Sequence, residues 1–342
     1  MTQTWEPPSD WLRITAIDAH TAGEPLRIIT GGFPPIPGTT ILAKRRYVRE
    51  HFDHLRKALM WEPRGHADMY GCLLLEPTTE DGTLSVLFLH NLGYSSMCGH
   101  GIIGLSTVVM ETGLFHVDKT QPKLLIDSPA GRITARVHWD KNRIRSTTFQ
   151  NVPSFVHSLD QTITVPGIGD VRYDIAYGGA YYAFVKAEDF GFNLVPDEFS
   201  TLVETGRRIK KAVKNQVDIR HPFEEDLGFL YGTIFVGPPH DKAHHSRNVC
   251  VFADGEVDRS PTGTGVSARA ALHFARNDIT EGEPFVIESL LGTCFTGRVV
   301  NTTSFGSYPA IIPEVTGSAF IVGRSEWLID PNDPLRHGFF LR

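Results

Sequence analysis

Two stretches far apart in the chain are variants of one pattern, and that duplication limits how the chain can fold. S-S-M-C-G-H-G occupies 95–101 and D-R-S-P-T-G-T-G occupies 258–265. Aligned, they read S-x-C-G-H-G-x-x-G from Ser96 to Gly104 and S-x-T-G-T-G-x-x-A from Ser260 to Ala268. Each runs into apolar residues at helical spacing: GIIGLSTVVMETG closes on Gly113, and GVSARAALHFARND closes in Asn-Asp. Each is then followed by a strand, a turn and a strand, LLIDSPAGRITARV at 124–137 and FVIESLLGTCFTGRV at 285–299, in which Ile-Asp-Ser and Ile-Glu-Ser correspond. Cys98 and Thr262 stand 164 residues apart in a chain of 342, so the repeat is a whole domain.

Most of the rest reads as short strands punctuated by Gly and Pro, as in ITAIDAHTAGEPLRIIT, GCLLLEPTTEDGTLSVLFLH and VRYDIAYGGAYYAFV. Further helices are predicted over 39–60 and 198–215, where Gly and Pro are scarce. Many strands, few helices and two related halves predict α+β domains facing each other across a cleft, where ligand sites are favoured.

A net charge of −6 without a basic stripe speaks against a nucleic-acid partner. No apolar run approaches the roughly 20 residues of a membrane helix, and the start MTQTWEPPSDWLRITAID lacks the pattern of a signal peptide. A cytoplasmic protein is expected. Cys72, Cys98, Cys250 and Cys294 form no C-x-x-C pair and no disulfide framework. His240, His244 and His245 lie in the polar stretch PPHDKAHHSRN without a second cluster at zinc spacing, and read as a surface loop rather than a metal site.

The chemistry concentrates at the two loops. Cys98 precedes a helix N-terminus, where the macrodipole favours thiolate. Gly99 and Gly101 allow close approach of the backbone and leave N–H groups available, so the two loops together predict paired anion-binding helix ends. A small carboxylate held there would present its α-carbon between Cys98 and Thr262, which suits proton removal beside a carboxylate. A lone cysteine is ordinarily a small buried hydrophobe, and Cys72, Cys250 and Cys294 are read that way. Cys98, between polar and glycine residues, is read as reactive. Asp258 and Arg259 could be a solvated pair, and Ser260 or Thr262 simple N-caps.

With M-C-G-H-G followed by D-R-S-P-x-G-T-G, the chain resembles the proline racemase family, which shares its fold with diaminopimelate epimerase. IDAHTAGEPLRI at 17–28, EPRGHADMYG at 62–71 and YGGAYYAFV at 177–185 carry the resemblance along nearly the whole chain. It implies two pseudo-symmetric domains, each a strand-rich half-barrel around a central helix, with the active site in the cleft between them. The halves are placed at 1–158 and 159–327, with 328–342 returning to the first. The resemblance implies no metal and no organic cofactor, and a homodimer by analogy with related proteins.

Racemases and hydroxyproline epimerases of this family carry two facing cysteines, one taking the α-proton and one protonating the opposite face. Cys98 corresponds to the first. At the second stands Thr262, whose hydroxyl is a far weaker acid, and threonine there resembles the trans-3-hydroxy-L-proline dehydratases. Stereochemistry supplies an independent reason why one thiol suffices. In trans-3-hydroxy-L-proline the α-hydrogen and the hydroxyl lie on the same ring face, so loss of water is a syn elimination. One thiolate there can take the proton and hand it to the departing hydroxyl, leaving an enamine that tautomerises to Δ1-pyrroline-2-carboxylate.

By the same resemblance Gly99, His100, Gly263 and Thr264 bind the substrate carboxylate, and Asp258 pairs with the ring ammonium. His100 could instead hydrogen-bond the leaving hydroxyl, and Thr262 fills the opposite face. His20, His66 and Asp68 either shape the site or satisfy loop backbone. Two alternatives stand beside the dehydratase: a proline racemase or hydroxyproline 2-epimerase using Thr262 or water as second acid, and a non-catalytic imino-acid binder.

Overall fold

The computed structural model describes residues 5–118 and 120–341. Residues 1–4 of the stretch searched for a leader, Lys119, and Arg342 of the segment assigned back to the first half lie outside the described residues. The helices are α1 (Ile41–His51), α2 (Asp53–Met60), α3 (Gly99–Thr112), α4 (Phe199–Gln216) and α5 (Gly263–Ala275).

The strands form two barrels of matching order. In the first, the neighbours run Ala319–Ile329, Leu12–Thr21, Glu24–Gly31, Tyr70–Leu75, Leu84–His90, Lys123–Ser128, Gly131–Asp140 and Arg143–Gln150. In the second they run Ser154–Val165, Gly169–Tyr177, Tyr181–Lys186, Leu230–Gly237, Ser246–Phe252, Phe285–Glu288, Cys294–Phe305 and Tyr308–Gly317. Ala310 then pairs with Phe155 and closes the ring. The far end of Tyr308–Gly317 pairs with Arg143–Gln150 and joins the barrels. Each barrel has two parallel strand pairs, at equivalent places. A parallel pair requires a crossover connection, and those crossovers are where the helices lie: α1 with α2, and α3, in the first half, α4 and α5 in the second.

α3 and α5 are the central helices. Residues Gly99 to Met110 of α3 are all buried, as are Gly263 to Leu272 of α5. A helix apolar all round is at home only inside a core. α3 ends at Gly113, whose φ of +70° supplies the left-handed turn that releases the chain. α5 ends at Ala275, and Asn277 takes the left-handed conformation at φ +59°. The helix predicted over 39–60 is two helices, because Phe52, at φ −123° and ψ 15°, breaks the run between α1 and α2. Thr40 caps α1 by accepting from the Ala43 amide.

The corresponding triplets have corresponding jobs. Asp127 accepts from the backbone amides of Thr78 and Thr79, and Glu288 from those of His240 and Asp241. Glu288 also binds His244 Nδ1 at 2.9 Å and Arg247 at 2.7 Å. The His-rich loop is therefore exposed but anchored. Cys294, expected to be buried, is only half-buried, 3.8 Å from His244 Nδ1. The last strand, Ala319–Ile329, pairs with Leu12–Thr21, and Arg64 donates to the carbonyls of Leu328 and Arg336. The strand Ser154–Val165 runs unbroken through 158–159. Among the described residues, no helix is long and apolar enough to cross a membrane.

Candidate active site

Two three-residue strands deliver the loops. Gly93–Ser95 pairs with Leu84–His90 and leads to Cys98; Glu256–Asp258 pairs with Ser246–Phe252 and leads to Thr262. The N-termini of α3 and α5 meet where the barrels touch. A Cβ on Gly99 would lie 2.5 Å from the Gly263 Cα, and one on Gly263 would lie 2.7 Å from the Gly99 Cα. Only glycine at both positions permits this approach. The first-turn amides of the two helices, which lack intrahelical acceptors, are thereby gathered in one place.

Beside this contact lies a small cavity of about 20 Å³. Seven of the residues singled out from the sequence line it: Cys98, Gly99, His100, Asp258, Thr262, Gly263 and Thr264. The sequence reading missed Tyr70, Tyr182, Tyr231 and Cys250, which also line it. Tyr70 donates to Ser95 Oγ at 2.6 Å, Ser95 Oγ lies 2.7 Å from the Tyr231 hydroxyl, and the Tyr182 hydroxyl lies 2.6 Å from Thr264 Oγ1. Burial pushes the Tyr70, Tyr182 and Tyr231 phenols well above their ordinary pKa, so they stay neutral. Cys250, read as core, is wholly buried and also lines the cavity.

Cys98 is the N-cap of α3: its Sγ accepts from the Gly101 amide at 3.2 Å. It also lies 3.1 Å from His100 Nδ1. The helix position favours thiolate, but burial wins and pushes the thiol pKa well above its usual value. Tyr70 and the Gly101 N–H pull it down, while Asp258 and Glu24 push it up. Burial also lowers the pKa of His100, so the ring beside the thiol is a neutral acceptor.

Thr262 does not act as a side-chain N-cap. Its backbone is at φ +64° and ψ 90°, an outlier for a β-branched residue, and strain of about 1–3 kcal/mol persists at such positions when the surroundings enforce it. Its Oγ1 is buried beside the Cys250 thiol, and pulls that thiol's pKa down against the burial that raises it. Asp258 is buried and accepts from the Ser260 amide at 2.8 Å. Arg259 is not a solvated partner of Asp258. It reaches into the first half, donating from Nη1 to the Asp68 carbonyl at 2.9 Å and from its amide to Glu24 Oε2 at 2.7 Å. Glu24 is fully buried, and burial, reinforced by Asp258, raises its pKa well above the carboxylate range. Its place inside IDAHTAGEPLRI gave no sign that it would lie beside Asp258, since the link is made by the fold.

The weaker candidates stand off the cavity. His20 stacks on Phe320 and accepts from the Gly23 amide at 3.2 Å. His66 is exposed, and Asp68 is buried against Arg259 with a backbone φ of +59°.

The geometry agrees with what the chain is similar to. The family model described as proline racemase matches residues 16–340. A trans-3-hydroxy-L-proline dehydratase of Colwellia psychrerythraea is 47% identical over 99% of this chain and 97% of its own. A 3-hydroxyproline 2-epimerase of Burkholderia multivorans is 43% identical over 96% of this chain and 98% of its own. The crystal structure of a hydroxyproline epimerase from Agrobacterium vitis, with bound trans-4-OH-L-proline, superimposes with a TM-score of 0.90 at 29% identity, covering 96% of each chain. With one family model spanning nearly its whole length and relatives near half identity, the chain belongs to the proline racemase family.

Proposed function

We propose that the protein is a cofactor-independent hydro-lyase that dehydrates trans-3-hydroxy-L-proline to Δ1-pyrroline-2-carboxylate. The observation that carries the reading is that the two central helices, whose N-termini meet, are headed by a thiol, Cys98, and a hydroxyl, Thr262, both lining one cavity. The substrate carboxylate takes the amides of Gly99, His100, Gly263 and Thr264, and Asp258 takes the ring ammonium. Neutral His100, 3.1 Å from Sγ, accepts the thiol proton. The thiolate so formed removes the α-hydrogen, and the electron pair released expels the C3 hydroxyl from the same face. The proton on sulfur, or that held by His100, leaves with it as water. Thr262 closes the far face and has no part in proton transfer.

A cavity of about 20 Å³ holds little more than one water, so substrate enters when the halves part and the Arg259 contacts to Glu24 and Asp68 release. We place the division of the halves in the link between Gln150 and Ser154 rather than near 158–159, with the strand from Ala319 onward joining the first, and the assembly as a homodimer, which sedimentation of the purified protein tests.

A second reading, a 3-hydroxyproline 2-epimerase, is favoured by the Burkholderia multivorans relative and by the Cys250 thiol on the cavity wall. Proton NMR in deuterated buffer separates the two. Conversion of trans-3-hydroxy-L-proline to pyrroline-2-carboxylate supports dehydration; deuterium at the α-carbon with inversion, and no loss of water, replaces it with the epimerase.

A further inference from the structure

Away from the catalytic cavity, the second barrel holds a buried cation with no anion hydrogen-bonded to it among the described residues. Arg269, on α5, is 3% exposed, and its acceptors are all neutral: Ser246 Oγ at 2.7 Å, Asn248 Oδ1 at 3.0 Å and His273 Nε2 at 2.9 Å. Burial and Arg269 hold His273 neutral, with a pKa of about 4. Its Nδ1 therefore carries the proton, donated to Asp278 at 3.1 Å, and its Nε2 accepts from Arg269. Burial alone depresses Arg269 to about 9. A buried charge without a counter-ion is costly, and packing does not demand this one. The equivalent position on α3, 164 residues earlier, is Leu105, fully buried in the first barrel.

Arg269 lines a cavity of about 430 Å³ that opens at the surface, within the range of small-molecule sites. Its carboxylates are largely engaged. Arg276 binds Asp160 and Asp174 at 3.0 and 2.6 Å, and Asp278 is taken by His273. At the exposed rim stand Arg172, Lys186, which lies 3.6 Å from Glu188, and the carboxylate of Asp189, and Tyr173, Phe184 and Leu272 supply apolar wall.

We propose that this cavity is a second ligand site, taking a small carboxylate whose anionic group pairs with Arg269 and whose outer end meets Lys186. Arg269 is wired to the catalytic loop: the same Asn248 that accepts from it donates to the Pro261 carbonyl at 3.2 Å, one residue before Thr262. A carboxylate that shares Arg269 with Asn248 reports its binding to that loop.

The test is calorimetric titration of the wild-type protein, Arg269→Met and Lys186→Glu with malonate as probe. Saturable binding is expected in wild type, weakened by about tenfold or more in Arg269→Met and severalfold in Lys186→Glu. Lys186 is exposed on the rim, so its variant carries the result if Arg269→Met does not fold. Absence of saturable binding overturns the proposal. So does binding of unchanged affinity in the folded variants, which would place malonate at the helix N-termini of the catalytic cavity. Neither outcome depends on which reaction Cys98 performs.

Discussion

Gly99 and Gly263 meet back to back, so close that a single methyl group on either would overlap the backbone of the other. This contact brings the two helix starts, and with them Cys98 and Thr262, to one cavity. Gly99→Ala is expected to leave the fold assembled at a cost of about 1–3 kcal/mol. The helix starts must separate, however, and a misplacement near 1 Å costs about a hundredfold in rate. Thermal denaturation beside kcat/KM on trans-3-hydroxy-L-proline checks both; unchanged kcat/KM would refute the role of the contact.

Cys98→Ser removes the proposed base while conserving shape. Dehydration should fall by about 10²- to 10⁴-fold or more, with substrate binding retained. Steady-state kinetics and equilibrium binding read the two effects separately. Turnover at the wild-type rate would remove Cys98 from the mechanism.

Thr262→Cys restores a thiol on the opposite face. Weak exchange or epimerization at the α-carbon of L-proline or trans-4-hydroxy-L-proline is expected, seen by NMR in deuterated buffer. Dehydration lost without any exchange would mean the two residues do not face the same carbon.

Glu24 is buried with Oε1 unpartnered among the described residues, its Oε2 accepting from the Arg259 amide and lying 3.5 Å from the Arg259 guanidinium, and burial raises its pKa well above the usual carboxylate value. Glu24→Gln retains the acceptor and should change stability little. Glu24→Ala strands the Arg259 amide and is expected to cost about 1–3 kcal/mol. Urea denaturation distinguishes them; equal losses would show that the charge, not the hydrogen bond, is what matters.

His221 Nδ1 accepts from the amides of Phe223 and Glu224, and burial lowers the ring pKa to about 4. Its protonation turns that acceptor into a donor facing two donors. Because the folded pKa lies below the unfolded value of about 6.5, the unfolded state binds the proton first. Stability from this group is complete above about pH 6.5 and declines as pH falls towards 4. His221→Asn, which keeps an acceptor, should flatten urea-derived stability over that interval; an unaltered pH slope would count against it.

Much of this molecule was legible locally. Gly113 ends α3 where the periodic pattern stops, and the Asp127 and Glu288 triplets proved to be equivalent anchors of equivalent loops. Such signals act within a few residues, through backbone conformation, capping and side-chain spacing, so a single sequence carries them. The duplication did the rest, because two copies of one loop in two copies of one domain have to be brought together by the same symmetry that relates them.

What the sequence by itself determined, then, is the repeat, its central helices and the thiol and hydroxyl that head them. Only the tertiary structure decided what surrounds those heads. Tyr70, Tyr182, Tyr231 and Cys250 reach the cavity from strands of both barrels, and Glu24 meets Arg259 across 235 residues of chain. It also decided the direction of the Cys98 pKa, where the helix N-terminus argues for thiolate and full burial overrules it. Spacing along a chain records neighbours on one helix or strand; desolvation depends on everything packed around a group, and that exists only once the two halves have packed together.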